Sequence, residues 1–490
     1  MNVESNDNHK RWKATWSGDD CTVDLRAEGE ITFSADAMSI QSISSGGFFE
    51  VSERNGSTLR QVRVTPSGNG LLHVYKINGK EEPMEGEPAK WFSGFLLALE
   101  RSTGFAADTR VPRILAKGGP TAVLDEINNL QGDYVRGRYF QKLLEAQTYP
   151  PPILLRIINQ AGQQIAGDYE MARVLMEVSK RYDLSDEASR NAFLSATSKL
   201  KSDYEHSRVL IELLKRPNIS TQNVRVALDS AATIKSDYEK SRILLSLMDQ
   251  KSFDQTSLDF YLKLVSTIQS DYERSRDLLA PMQKFQLSAD QTNQIMDSTA
   301  KINSDYEKSR LLLSLTQKGS FDEKQMANYL KVVDSMKSDY ERSRCLMELL
   351  QHNTLSPASI TKSMDAVSRG TSDHEKSKLL TTLATRSFDE AQTASYLRVV
   401  DSMNSDFERS RSLLALLEGT RLSSANLVNL IASTSRIQSD FEKSRVLQAV
   451  AHKYPLEGTV RESYIKVAES IGSEFERNRV LAGIVKRATL

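Results

Sequence analysis

Cysteine is nearly missing from this chain: Cys21 and Cys345 are the only two in 490 residues. A pair so far apart builds no disulfide framework, and no CxxC spacing offers a metal or redox centre, so free thiols are expected. Net charge is missing as well. The 64 lysines and arginines are balanced by 64 aspartates and glutamates, which removes the basic excess that binding a polyphosphate chain requires. No apolar run approaches the length of a membrane span, and the opening MNVESNDNHKRW holds no signal-peptide core. The expectations are no nucleic-acid partner, no membrane insertion and a cytoplasmic compartment, or an extracytoplasmic one if Met1 follows a removed leader.

Histidine is equally sparse. His9, His73, His206, His352, His374 and His452 include no two at metal-ligand spacing, and phosphate-loop, GxGxxG, GxSxG and HExxH motifs are all absent. The chain therefore reads as non-enzymatic, with no catalytic residue, no metal and no cofactor expected.

What is present falls into two textures. From Trp12 to Lys76 short β-type runs such as CTVDLRAEG and TLRQVRVTPSG alternate with Gly, Asn and Ser punctuation, and Asn78-Gly79 and SGNG at 67–70 are hairpin-turn signals. Residues 1–85 are predicted to form a small antiparallel β domain. Trp91, Phe92, Phe95, Leu96 and Leu99 then follow helical spacing, so 86–104 reads as a connecting helix.

From 105 to 490 a single phrase recurs. Its acids are Asp133, Asp168, Asp203, Asp237, Asp271, Asp305, Asp339, Asp373, Asp406, Asp440 and Glu474, at intervals of 33 to 35 residues. This period specifies a helix-turn-helix array. The predicted fold is mostly α: a right-handed α-solenoid of about eleven 34-residue repeats behind the β domain. Asp108 and Arg113 repeat the spacing of Asp133 and Arg138 only 25 residues earlier, as a shortened first repeat would.

Within a unit, Ser304-Asp305-Tyr306-Glu307 reads as a capping box in which the serine hydroxyl accepts from the third helical N–H and Glu307 reaches back to the serine N–H. Pairs such as Leu287-Ser288, Phe321-Asp322 and Phe388-Asp389, followed by Gln291, Gln325 and Gln392, start the other helix. Asp305 and Arg310 are five residues apart, about 140° on a helix, so they point in different directions. Arg310 is accordingly expected to meet an acid of a neighbouring repeat, and Asp339, Tyr340, Glu341 and Arg344 repeat the arrangement.

A second period underlies the first. FYLKLV, NYLKVV, SYLRVV and SYIKVA recur every 67 or 68 residues, and the same units carry Arg274, Arg342, Arg409 and Arg477 where the others carry Lys240, Lys308, Lys376 and Lys443. At the lysine of YLK the charges alternate along Asp297, Lys331, Asp365 and Arg398, and one position earlier Ile295, Tyr329 and Ser363 alternate in size. An interlocking ridge with a neutral charge ladder is the expectation.

The helix pair resembles the tetratricopeptide repeat, whose second helix opens with a Gly-Asp-Tyr turn; AGDYEMA at 166–172 fits. The first-helix Trp, the Leu-Gly pair and the closing Pro of that family are absent, which leaves a HEAT-like solenoid open. SISSGGFFEVSE at 42–53 together with SDYE repeats also resembles the non-catalytic extension of bacterial membrane metallopeptidases of the β-lactam-sensor type. These resemblances imply a scaffold that binds a protein or peptide partner along the solenoid, the alternative being a structural protein that self-associates through end-to-end or lateral contacts.

Overall fold

The computed structural model describes residues 2–6, 11–17, 21–250, 253–352 and 355–488, with His9 and the side chain of His352 outside the described set. The chain separates into two compact units, Met1–Ser252 and Phe253–Leu490. Twenty-three α-helices follow nine strands among the described residues, so the architecture is that of an antiparallel β module followed by helical repeats.

In the first unit, seven strands form an antiparallel meander: β1 (Asn2–Asn6), β2 (Arg11–Ser17), β3 (Cys21–Glu28), β6 (Phe48–Asn55), β7 (Thr58–Ser67), β8 (Gly70–Ile77) and β9 (Lys80–Glu82). The hairpin of β4 (Ile31–Phe33) and β5 (Ile40–Ile43) lies between β3 and β6 in sequence. Period-2 alternation selects the covered face. Val23, Leu25 and Ala27 of β3 are buried while Asp24 and Arg26 are exposed, and Phe49, Val51, Val62 and Val64 join them. The β8–β9 turn is made by Asn78 and Gly79 at φ 48° and 84°. Two successive positive φ values are what a tight hairpin that follows the strand twist requires, and Asn-Gly is the pair that tolerates them.

Helix α1 (Glu87–Thr103) lies on this face with Phe92, Leu96 and Leu99 buried, and the Trp91 indole donates to Glu53 Oε2 at 2.7 Å. Helix α2 (Ala107–Ile127) is broken at Gly119, φ 67°, immediately before Pro120. Helix α3 (Asp133–Ala146) completes a buried polar cluster with both. The Tyr139 hydroxyl donates to Glu100 Oε1 at 2.6 Å, and Arg110 bridges the Tyr139 hydroxyl at 3.0 Å and Glu126 at 2.9 Å. Burial pushes the Glu100 carboxyl above its usual range, against the Tyr139 and Ala106 donors that favour its charged form. The cluster joins the helix that covers the sheet to the first helices of the repeat region.

The repeats then alternate a first and a second helix. In the second unit, for instance, Ala289–Ala300 and Asp305–Thr316 form one repeat, and Glu323–Asp334 and Asp339–His352 the next. Within each unit, first helices pack on first helices and second on second. Leu311, Leu312 and Leu315 are all buried, each worth about 2 kcal/mol of apolar transfer.

The starts of the first helices match the expected pattern. Ser288 with Gln291, Asp322 with Gln325 and Asp389 with Gln392 form reciprocal capping boxes. The starts of the second helices correct it. Ser304 Oγ does accept from Glu307 N at 3.3 Å, but Ser304 N donates to Asp271 Oδ2 of the preceding repeat at 3.0 Å, not to Glu307. Asp305 likewise accepts from Lys337 N at 2.8 Å and Ser338 N at 2.7 Å in the following repeat. The same fork recurs at Asp133, Asp168, Asp203, Asp339, Asp373, Asp406 and Asp440. The neighbour's aspartate accepts from two N–H groups at once, while the Glu307 carboxylate is engaged by Arg310.

The lysine–arginine alternation also acquires a physical reason. Lys308 is buried, with Nζ 2.9 Å from Ser335 Oγ at the end of the next repeat's first helix, and Lys376 reaches Ser402 Oγ at 3.1 Å in the same way. A cation there meets the negative end of that helix. The arginines also reach backward: Arg274 Nε donates to Ile268 O at 2.8 Å and Arg477 Nη1 to Ile471 O at 2.9 Å, each just before its own second helix. His206 occupies this position in an early repeat, with Nε2 3.0 Å from Ser230 Oγ. Burial holds its imidazole below the usual range, with Asp203 opposing weakly.

Two outcomes follow. Asp305→Ala strands two N–H groups and is expected to cost about 1–3 kcal/mol, with hydrogen exchange at Lys337 and Ser338 accelerated ahead of other helical amides; unchanged exchange there would count against the fork. His206 is expected to make stability fall as pH drops through about 6.5, because the unfolded chain then binds a proton that the folded chain resists. His206→Lys, the residue at this place in four other repeats, should flatten the thermal-midpoint difference between pH 7.5 and 5.5.

Candidate interaction surface

Most second helices begin Asp-aromatic-Glu, with Asp133-Tyr134-Val135 and Glu474-Phe475-Glu476 at the two ends of the array, and successive side chains are rotated by about 100°. Asp305 is turned toward the following repeat, whose N–H groups it holds. The glutamate, two residues on and about 200° away, is turned to the preceding one: Glu341 accepts from Ser309 Oγ, as Glu442 does from Ser410 and Glu476 from Ser444. The aromatic residue between them is turned mainly to solvent, although His374 Nδ1 is 3.2 Å from Glu408 of the following repeat. Tyr306 is 55% exposed, Tyr340 62% and Phe475 70%, with Tyr272, Phe407 and Phe441 alike and His374 at the same place in the remaining repeat. In the first unit Tyr134, Tyr169, Tyr204 and Tyr238 are exposed in the same way.

Arg310 stands four residues after Tyr306 and three after Glu307, which places all three on one side of the helix. Its expected contact with an acid of a neighbouring repeat is not made: Arg310 Nη1 is 2.8 Å from Glu307 of its own helix, and Arg344 Nη1 is 3.6 Å from Glu341. Five residues do turn Arg310 away from Asp305, but Glu307 lies within one turn of it and takes the contact. A cross-repeat pair of the expected kind does occur at the start of the array, where Arg138 meets Asp108 at 2.6 Å.

The arginines lie over the rings. Arg276 is 5.6 Å from the Tyr272 centroid, Arg445 5.9 Å from Phe441 and Arg479 5.5 Å from Phe475. In the first unit, Tyr204 has Arg208 at 5.6 Å and Arg242 of the next repeat at 5.4 Å. Each unit therefore carries a row of exposed rings; in the second unit a guanidinium lies over Tyr272, Phe441 and Phe475, and the His374 repeat has Lys378 where the others have arginine.

The expected charge ladder is not formed. Asp297, Lys331 and Arg398 are exposed and Asp365 is half-buried, and no ion pair joins them among the described residues; Arg398 Nη2 donates instead to Ser395 Oγ at 2.7 Å. Pairs between neighbouring repeats form nearer the ends of the first helices, Asp334 with Arg369 and Asp401 with Arg436 at 3.5 Å, where the chain leaves the helix and an arginine can lean across. The size alternation lies in the interior. Ile295, Tyr329 and Ser363 are fully buried, and the Tyr329 hydroxyl donates to Cys345 O at 3.0 Å.

Sequence reasoning assigned the SDYE aromatics to helix starting and missed that they are displayed. A signal was available: the hydroxyl is dispensable, since Phe407, Phe441 and Phe475 replace tyrosine, so a ring is what recurs. Elsewhere, Cys21, Trp91, Phe95 and Leu99 line a groove of about 630 Å³ between the sheet and α1. No helix among the described residues is long and apolar enough to cross a membrane.

No protein-family model matches the chain, and no curated protein matches it. Among solved structures it is similar to a chain in a homology model of the full-length AP-3 complex in an intermediate open conformation, at 11% identity and a TM-score of 0.26 over 82% of this chain and 86% of that one. It is also similar to a circular tandem repeat protein with enhanced subunit contact surfaces, at 11% identity and a TM-score of 0.16 over 82% and 90%. At those scores neither adds to the repeat architecture read from the helices themselves.

The two kinds of tyrosine should separate by substitution. Tyr329→Phe removes a buried donor and leaves the Cys345 carbonyl without it, for about 0.5–1.5 kcal/mol in urea unfolding. Tyr306→Ser is expected to change stability by less than about 0.5 kcal/mol.

Proposed function

We propose that the chain is a non-enzymatic protein-interaction scaffold and that the exposed aromatic–arginine rows are where it holds a protein or peptide partner. The carrying observation is the display itself. A ring costs solvation when it faces water, and here one faces water in repeat after repeat, with the struts to both neighbours supplied by other side chains. Aromatic and arginine side chains are the types most enriched where binding energy concentrates. In this reading the repeats belong with TPR-like or HEAT-like scaffolds, the β module is a second contact surface, and nothing of a peptidase activity is carried over from the sensor-type extension that the sequence resembles.

The test is affinity capture with the full chain and with a variant carrying Tyr306→Ser, Tyr340→Ser, Phe407→Ser and Phe441→Ser, its fold checked by circular dichroism. A partner retained by the parent and lost by the variant is the expected result; equal retention removes the rows from the interface.

A further inference from the structure

The row in the second unit has a pitch and a polarity that narrow the chemistry of its partner. Successive second helices pack directly on one another, and packed helix axes stand about 8–10 Å apart, which is the recurrence expected of side chains at equivalent positions on them. A β-strand returns the same face every two residues, about 6.7 Å, and an α-helix every 5.4 Å or so. A polyproline-II segment turns once in three residues at about 3.1 Å each. Its repeat of about 9.3 Å falls within the range for a ring per helix, whereas the strand repeat falls below it and two helical turns, about 10.8 Å, fall above it.

Polarity follows from depth. In the glutamate–arginine pairs the carboxylate lies beneath and the guanidinium outside: Glu307 is 11% exposed against 36% for Arg310, and Glu442 12% against 40% for Arg445. Each of these pairs engages one guanidinium nitrogen, and a guanidinium has five N–H donors. Donors and positive charge therefore face outward beside each ring. A polyphosphate is the poorer match, because the chain has no net positive charge to hold a continuous run of anions.

We infer that this row is a docking track for an acidic, proline-rich segment of a partner protein in the polyproline-II conformation, one three-residue turn per repeat. A proline ring lies on each exposed aromatic, and a carboxylate on the same turn meets the adjoining arginine. The inference rests on the interaction-scaffold reading and adds to it the class of partner.

The probe is fluorescein-labelled (Pro-Pro-Glu)6 titrated with the full chain and followed by anisotropy. Saturable binding is expected, at least tenfold tighter than that of (Pro-Pro-Lys)6 or of a block peptide with all of its prolines ahead of all of its glutamates, which keeps the composition and breaks the period. Shortening to (Pro-Pro-Glu)3 should weaken it at least fivefold, as should Tyr306→Ser with Phe441→Ser, or Arg310→Gln with Arg445→Gln, with helicity unchanged. Equal binding of the lysine or block peptide overturns the inference, as does indifference to these variants. So does binding of a labelled oligouridylate, or loss of self-association on sedimentation, where the ring variants matter and (Pro-Pro-Glu)6 does not bind. If the four-ring variant loses its captured partner while (Pro-Pro-Glu)6 fails to bind, the partner chemistry is wrong and the scaffold reading stands; if capture is unchanged as well, both fall.

Discussion

The aspartate fork is the interaction on which the repeat region depends. A helix start exposes N–H groups that no turn of its own helix can satisfy, and here the two just before the helix are claimed by a carboxylate from the repeat before: Asp305 by way of Lys337 and Ser338, Asp406 by way of Gln438 and Ser439. Because the bond runs from the first turn of one second helix to the cap of the next, it fixes the stagger between repeats as well as their contact. The serine hydroxyl remains available to cap the helix from within. A repeat array whose stability sums over neighbours gains from placing its strongest polar contact at the junction.

The remaining positions of the motif are arranged around that fork. The glutamate ties back to the serine of the previous repeat, as Glu341 does with Ser309, and holds the arginine that follows it. The cation at the next position is drawn under the surface: Lys308 and Lys376 reach Ser335 and Ser402 of the following repeat, whereas Arg274, Arg342 and Arg477 bind carbonyls of their own repeat, at Ile268, Met336 and Ile471, and Arg409 binds Arg436 of the following one. The two classes differ in which carbonyls that cation reaches, which gives the double-length sequence period a structural basis just past the end of the first helix. Tyr261, Tyr329, Tyr396 and Tyr464 complete it, each buried with its hydroxyl on a carbonyl of the second helix of its own repeat.

Once both neighbours are served, the direction between aspartate and glutamate is left mainly to solvent, with Tyr204 meeting Arg242 and His374 meeting Glu408 across the repeat junction. It is occupied by a ring in almost every repeat, with an arginine beside it. Stability alone would favour a polar residue at that point, which is why the display reads as a surface kept for contact.

The sequence by itself determined the period, the two helices per repeat, the capping boxes at Ser288, Asp322 and Asp389, the Asn78-Gly79 hairpin and the class of fold, because each of these depends on local spacing and backbone preference. It also established that Arg310 and Asp305 point apart, which helical arithmetic settles. Only the tertiary structure decided where each points. Asp305 reaches the next repeat's backbone, which no side-chain pattern records; Glu307 takes Arg310 from within one turn; the charges at Asp297, Lys331, Asp365 and Arg398 form no ion pair with one another among the described residues; and the rings that looked like part of a helix start stand in water. The physical reason is the same throughout. A helix assigns each side chain a direction, and only the neighbouring repeat determines whether that direction ends in a backbone amide, a packed interior or solvent.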